Sequence, residues 1–131
     1  MSVKLHRQAE ELMGEAEILA GTGRSDEARA RWLEAARLEQ EVFVQIPEDR
    51  QKTRGIIAVS AVALYRRAGA LDDAIRTATE YLTDGNLPKA WQTELQALLD
   101  DVRAERQTAT NGRARESEQH DVSFRSTNAG E

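Results

Sequence analysis

The sequence predicts an all-α protein of about five antiparallel helices, arranged as a stack of helix hairpins and followed by a disordered C-terminal tail. Three observations carry that expectation. Alanine, leucine, arginine and glutamate dominate a chain of 131 residues with only two prolines and eight glycines, and all four of those residues favour helices. Apolar residues recur at alternating steps of three and four. Two similar stretches, "GRSDEA" at 23–28 and "GALDDA" at 69–74, stand 46 positions apart. Each reads as a helix stop followed by a helix start.

The first helix is expected over about 5–20, where Leu5, Ala9, Leu12, Ala16 and Leu19 form one apolar face. "AGTGRSD" at 20–26 interrupts it. A glycine there closes the helix in the left-handed conformation, and Ser25 or Asp26 is placed to cap the next one. The second helix runs from about 26 to 45, with Ala28, Trp32, Ala35, Glu39, Val42 and Ile46 at helical spacing. Pro47 stops it and suits the first turn of a third helix, where Glu48 and Asp49 match the helix dipole.

The third helix, about 48–68, is apolar nearly all round: Ile56, Ile57, Val59, Ala61, Val62, Ala63, Leu64, Tyr65. A strand competes, because several of these residues are β-branched. No turn residue follows until Gly69 and no partner strand is evident, so a central, buried helix is the better reading. The fourth helix, about 72–84, offers Ala74, Ile75, Ala78, Tyr81 and Leu82. "DGNLP" at 84–88 turns the chain into a fifth helix, about 88–106. That helix carries Trp91, Leu95, Leu98, Leu99 and Val102 on one face and is polar on the other, as a terminal cap should be. Residues 1–106 therefore read as one helical domain. Residues 107–131 are polar, lack helical period and read as a disordered tail.

Composition also bounds function. A net charge of −5, with both signs mixed along the chain, argues against a general nucleic-acid binder. Cysteine is absent. Disulfides, thiolate metal ligands and a thiol nucleophile are thereby excluded, and a reducing, cytoplasmic setting fits. The N-terminal stretch shows no apolar signal-peptide core. The longest apolar run, 56–65, is about half a bilayer span, so no membrane association is expected. No phosphate-binding glycine loop or zinc-protease pattern is present. No enzyme site and no cofactor are expected.

Aligning the two turn motifs also aligns Ala16 with Val62 and Leu19 with Tyr65. With a glycine before each turn and a small residue early in each second helix, the chain resembles the tetratricopeptide repeat. Gly23, Ala28, Trp32 and Ala35 match the family pattern in the first unit, and Tyr65, Gly69 and Ala74 in the second. The resemblance covers roughly residues 9–84, with the fifth helix as a half repeat. The chain departs from the pattern in its 46-residue period, against the usual ~34. It departs again at Ala78, which stands where the family has a large residue, and at Tyr81, which stands where it has a small one. A plain antiparallel bundle, or a three-helix domain like those of microtubule-interacting-and-transport proteins with additions, is the alternative architecture.

The resemblance implies a concave face built from the first helix of each hairpin, binding a protein or peptide partner. By position its residues are Glu10, Met13 and Glu17, then Ile56, Val59, Ala63, Arg66 and Arg67. Ile56 and Val59 would anchor a peptide or helix, and the two arginines would take an acidic end. The competing reading makes Ile56 and Val59 ordinary core beneath the fifth helix. Chaperone-binding members use lysine and asparagine in the first helix, where Met13 and Glu17 stand here, so that activity is not implied. A short array leaves helix faces uncovered, so homo-oligomer formation through the third and fifth helices is a second expectation.

Other candidates are weaker. Arg50, Lys52 and Arg54 form a basic cluster suited to phosphate or an acidic segment, but Glu48 and Asp49 counter it on what reads as a solvated face. Arg115 and His120 have the loose spacing of HEPN-type ribonucleases, so a small helical nuclease, or a regulatory subunit of an enzyme complex, is the alternative function. These residues fall in the expected tail, without the apolar face an ordered helix needs. The pairs Asp72–Asp73 and Asp100–Asp101 lack an accompanying histidine and do not suggest a metal. His6 reads as a lone exposed residue, and Trp32 and Trp91 as core anchors. Val122 and Phe124 form a short apolar patch in the tail, read as part of a featureless segment.

Overall fold

The computed structural model describes the backbone of residues 3–129 and the side chains as far as Gly112. It consists of five helices, with no strand among the described residues: α1 (Val3–Gly21), α2 (Ser25–Gln45), α3 (Gln51–Arg67), α4 (Leu71–Asp84) and α5 (Lys89–Ala129). Each helix packs along the next in the chain, and α5 also reaches back to α3. The all-α hairpin arrangement is as expected.

The two hairpin turns are the same structure. Gly23 and Gly69 both adopt positive φ, +81° and +74°. The amide of Arg24 donates to the Leu19 carbonyl at 2.9 Å, and that of Ala70 to the Tyr65 carbonyl at 3.0 Å. Gly23 and Gly69 in turn donate to Ala20 and Arg66. This paired pattern is the Schellman motif, which satisfies the last carbonyls of a helix with a left-handed residue just beyond its end. Every one of these partners is related to its counterpart by the 46-residue offset. Ala28 and Ala74, just past the turns, are fully buried and let the paired helices approach.

Three boundaries differ from expectation. Ser25 and Asp26 do not cap α2. Arg24 occupies the cap position without a side-chain hydrogen bond, and Asp26 instead pairs with Arg29. Pro47 does not begin α3, because residues 47–50 close a turn through the Arg50 amide and the Pro47 carbonyl and the helix starts at Gln51. The fifth helix does not end at 106 but continues through Gln107–Gly112, exposed at nearly every position. The segment has no apolar face, and the hydroxyls of Thr108 and Thr110 donate back to the carbonyls of Ala104 and Arg106 along it. The side chains of 113–131, the rest of the expected tail, lie outside the described residues.

The core is formed mainly between α2, α3, α4 and α5. On α3, Ile57, Ala58, Ala61, Val62, Leu64 and Tyr65 are buried. Leu95, Leu99 and Val102 of α5 close one side. Gly55 marks the tightest approach. A Cβ built there would lie 2.2 Å from Cδ2 of Trp91, so the indole rests directly on the α3 backbone. That contact sets how close α5 comes to α3.

Candidate interaction surface

The helical spacing of Ile56, Val59, Ala63, Arg66 and Arg67 places them within an arc of about 100° on α3. Ile56 is 48% exposed, while Val59 and Ala63 are half-buried. The two arginines at the end of this face are already engaged. Arg66 is ion-paired with Glu105 of α5. Arg67 lies 3.9 Å from Glu17 of α1, with its guanidinium 5.9 Å from the centre of the Trp32 ring. Met13 of α1 is half-buried against the core and Glu17 is exposed. The backbone of α1 approaches α2 alone, so its connection to α3 is made by side chains. The face thus has an apolar middle, with ion pairs toward α1 and α5 at one end. Arg66 is thereby less available to an acidic ligand than its sequence suggests, whereas Arg67 remains exposed beyond a long contact with Glu17.

The basic cluster at the start of α3 is not one surface. Arg54 is buried, and its guanidinium donates to the carbonyls of Ile46 (3.0 Å) and Gly85 (2.9 Å) while stacking 4.3 Å from the centre of the Phe43 ring. It therefore ties the C-terminal ends of α2 and α4 together, where carbonyls are otherwise orphaned. Phe43 in turn packs on Tyr81, ring centres 4.3 Å apart.

His6 is not a lone residue. Its Nδ1 lies 2.8 Å from Oε1 of Glu39, and its Nε2 lies 2.7 Å from Glu10. Glu39 is fully buried at the α1–α2 interface. Burial pushes its carboxyl above the ordinary range, opposed by the contact with His6. Its second oxygen, the Thr77 hydroxyl and the Tyr81 hydroxyl are buried without hydrogen-bond partners. Burial likewise raises both Tyr65 and Tyr81, and Tyr65 donates its hydroxyl to Gln40.

The buried role of Arg54, the carboxyl of Glu39 among core residues, the close approach at Gly55 and the Phe43–Tyr81 pair were not anticipated from the sequence. A signal existed for two of them: a glutamate at an apolar position of α2 and an isolated glycine inside the α3 pattern, which ordinarily marks a close approach.

The carboxylate pair Asp72–Asp73 is occupied by arginines, Arg106 at 2.6 Å and Arg76 at 2.5 Å. No cluster of three metal-ligating side chains occurs among the described residues. No described helix is long and apolar enough to cross a membrane. Arg115, His120, Val122 and Phe124 lie outside the described side chains.

These features define an all-α helix-hairpin protein with an apolar patch on its central helix. In comparisons with known proteins, no family model, curated protein or solved structure matches the chain.

Proposed function

We propose that the chain is a non-catalytic protein-interaction module of tetratricopeptide-like design, an adaptor or scaffold that takes an apolar helix or peptide segment of a partner on the exposed face of α3. The observation that supports this reading is Ile56. It is a large apolar side chain half-exposed in the middle of the helix that otherwise forms the core, with Val59 and Ala63 beside it. Helix-in-groove recognition uses such residues as anchors at i, i+3 and i+7, the spacing of Ile56, Val59 and Ala63. Because Glu105 already pairs with Arg66 and exposed charge contacts contribute little, the docking energy comes from apolar burial. Charge serves as a rim that sets orientation.

The test is capture of partners from the native host on wild type, Ile56→Asp and Ile18→Asp, with circular dichroism confirming that all three fold alike. Ile18 is 70% exposed on α1 and serves as the control. Partners lost only with Ile56→Asp support the reading, and partners retained by that variant remove it. Light scattering at micromolar concentration decides whether the occupant is a second copy. A dimer mass that falls to a monomer in Ile56→Asp assigns the face to self-association.

A further inference from the structure

We infer that a second surface, the groove between the C-terminal halves of α2 and α4, receives a lysine or arginine side chain from a basic segment of a partner protein. Gln40, Phe43 and Val44 on α2 and Glu80, Tyr81 and Asp84 on α4 line about 280 Å³ of open space. None of these residues comes from α1, α3 or α5, so this surface is separate from the α3 face.

The groove has an apolar base and an acidic rim. Its base is the packed pair Phe43 and Tyr81. Val44 stands at its lip, 80% exposed, the most exposed large apolar side chain described. Glu80 and Asp84 are one helical turn apart, so both point from the same side of α4, and like charges at that spacing oppose the helix. Neither is in an ion pair or side-chain hydrogen bond among the described residues. The contrast within α4 is direct, since the two aspartates of its first turn are each matched by an arginine.

The surrounding field has the same sign. Both α2 and α4 end here, and helix C-termini carry negative partial charge. The carbonyls of Ile46 and Gly85 already draw in one guanidinium, that of Arg54, which stacks on Phe43. Arg54 satisfies the inner side. The outer side presents two carboxylates, an aromatic base and an exposed valine, and no lysine or arginine is among its lining residues. A lysine or arginine side chain has the matching form, an aliphatic stem for Val44 and Phe43 and a cationic head for the carboxylates. A bare metal ion matches poorly, because two carboxylates over an apolar base do not complete a coordination shell. Nucleic acid would be repelled.

The experiment is an amide NMR titration of the full ¹⁵N-labelled chain with a pentapeptide of alternating arginine and leucine. A glutamate-for-arginine peptide and calcium chloride serve as controls. Saturable shifts confined to the neighbourhood of residues 40, 44, 80 and 84 are expected, weakening with added salt. The Glu80→Gln/Asp84→Asn double variant should bind the peptide at least about tenfold more weakly. Both changes are isosteric and exposed, so the fold is retained. Val44→Ala should weaken binding less, and Ile56→Asp not at all, which separates this site from the α3 face. Shifts spread over every acidic surface, unchanged affinity in the double variant, or the same shifts with calcium alone would each overturn the assignment.

Discussion

Replacing Gly55 with alanine should destabilise the protein, and the same replacement should stabilise it once Trp91 is removed. An exposed or unhindered mid-helix Gly→Ala change gains about 1 kcal/mol of helix propensity. At Gly55 that gain meets an obstacle, because the new methyl would sit 2.2–2.4 Å from Cδ2, Cε2 and Cγ of Trp91. Cγ is the near end of the indole, so the ring cannot swing clear without leaving its seat. Overpacking of this kind costs about 1–3 kcal/mol. The net effect is a loss of about 1 kcal/mol, or roughly 3–6 °C in melting temperature for a chain of this size. In a Trp91→Ala background the obstacle is gone and the propensity gain of about 1 kcal/mol remains. The coupling between the two sites is therefore about 2 kcal/mol, well above the usual non-additivity of separate sites. Urea denaturation of the four proteins, followed by circular dichroism so that loss of an indole does not alter the signal, measures it. Gly55→Ala having the same sign in both backgrounds would refute the claim that Trp91 rests on the α3 backbone.

Two further outcomes follow from the buried polar groups. Arg54→Met keeps the aliphatic stem but deprives the Ile46 and Gly85 carbonyls of a charged donor, so it should cost about 3 kcal/mol in urea unfolding; Arg54→Lys should recover only part of this, and full recovery would show that the fork of the guanidinium is not needed. Burial, partly opposed by His6, holds the Glu39 carboxyl above its ordinary 4.5, so the unfolded chain releases this proton at lower pH than the folded one. The group's stabilising contribution is complete below the unfolded value and is lost as pH rises through the folded value. The stability of Glu39→Gln relative to wild type should therefore climb as pH rises above the ordinary carboxylate value of 4.5, read in urea midpoints, and a flat or falling difference would refute the assignment.

The helices were legible because their signals are local. Apolar spacing is read within one helix, and Gly23 and Gly69 mark turns whose hydrogen bonds involve only neighbouring residues. Ile56 was identified as a surface candidate for the same reason, since its position on the α3 arc follows from helical geometry. The state of Arg66 and Arg67 was not legible. Their partners, Glu105 and Glu17, lie on other helices far off in sequence. Arg54 shows the limit most clearly. In the sequence it belongs with Arg50 and Lys52, yet it is buried because two helix ends converge on it. His6 was misread for a related reason, because its partner across the α1–α2 interface, Glu39 on the buried face of α2, lies 33 residues away.

The 46-residue offset separates what holds the hairpins together from what gives them different surfaces. Positions that make the fold keep their character across it: Gly23 and Gly69 at the turns, Ala28 and Ala74 at the close approach, Ala9 and Gly55 as small buried residues, and Ala16 and Val62 in the core. Positions that face outward do not. The counterparts of Ile56 and Ala63 on α1 are Glu10 and Glu17, so the same face is acidic in the first hairpin and apolar in the second. The counterpart of exposed Asp84 on α2 is Leu38, and within the core Tyr81 stands where the first hairpin has Ala35. Glu80 has an acidic counterpart in Glu34, but the aromatic ring and the second carboxylate of the α2–α4 groove have no equivalent at the matching positions of α2. Had these outward residues served only to keep the hairpins soluble, a similar polar covering would suffice on both. Their divergence over a matched frame puts the apolar face on α3 and the carboxylates of the groove on α4, with α2 supplying Phe43 and Val44, so each surface can be altered without disturbing the other.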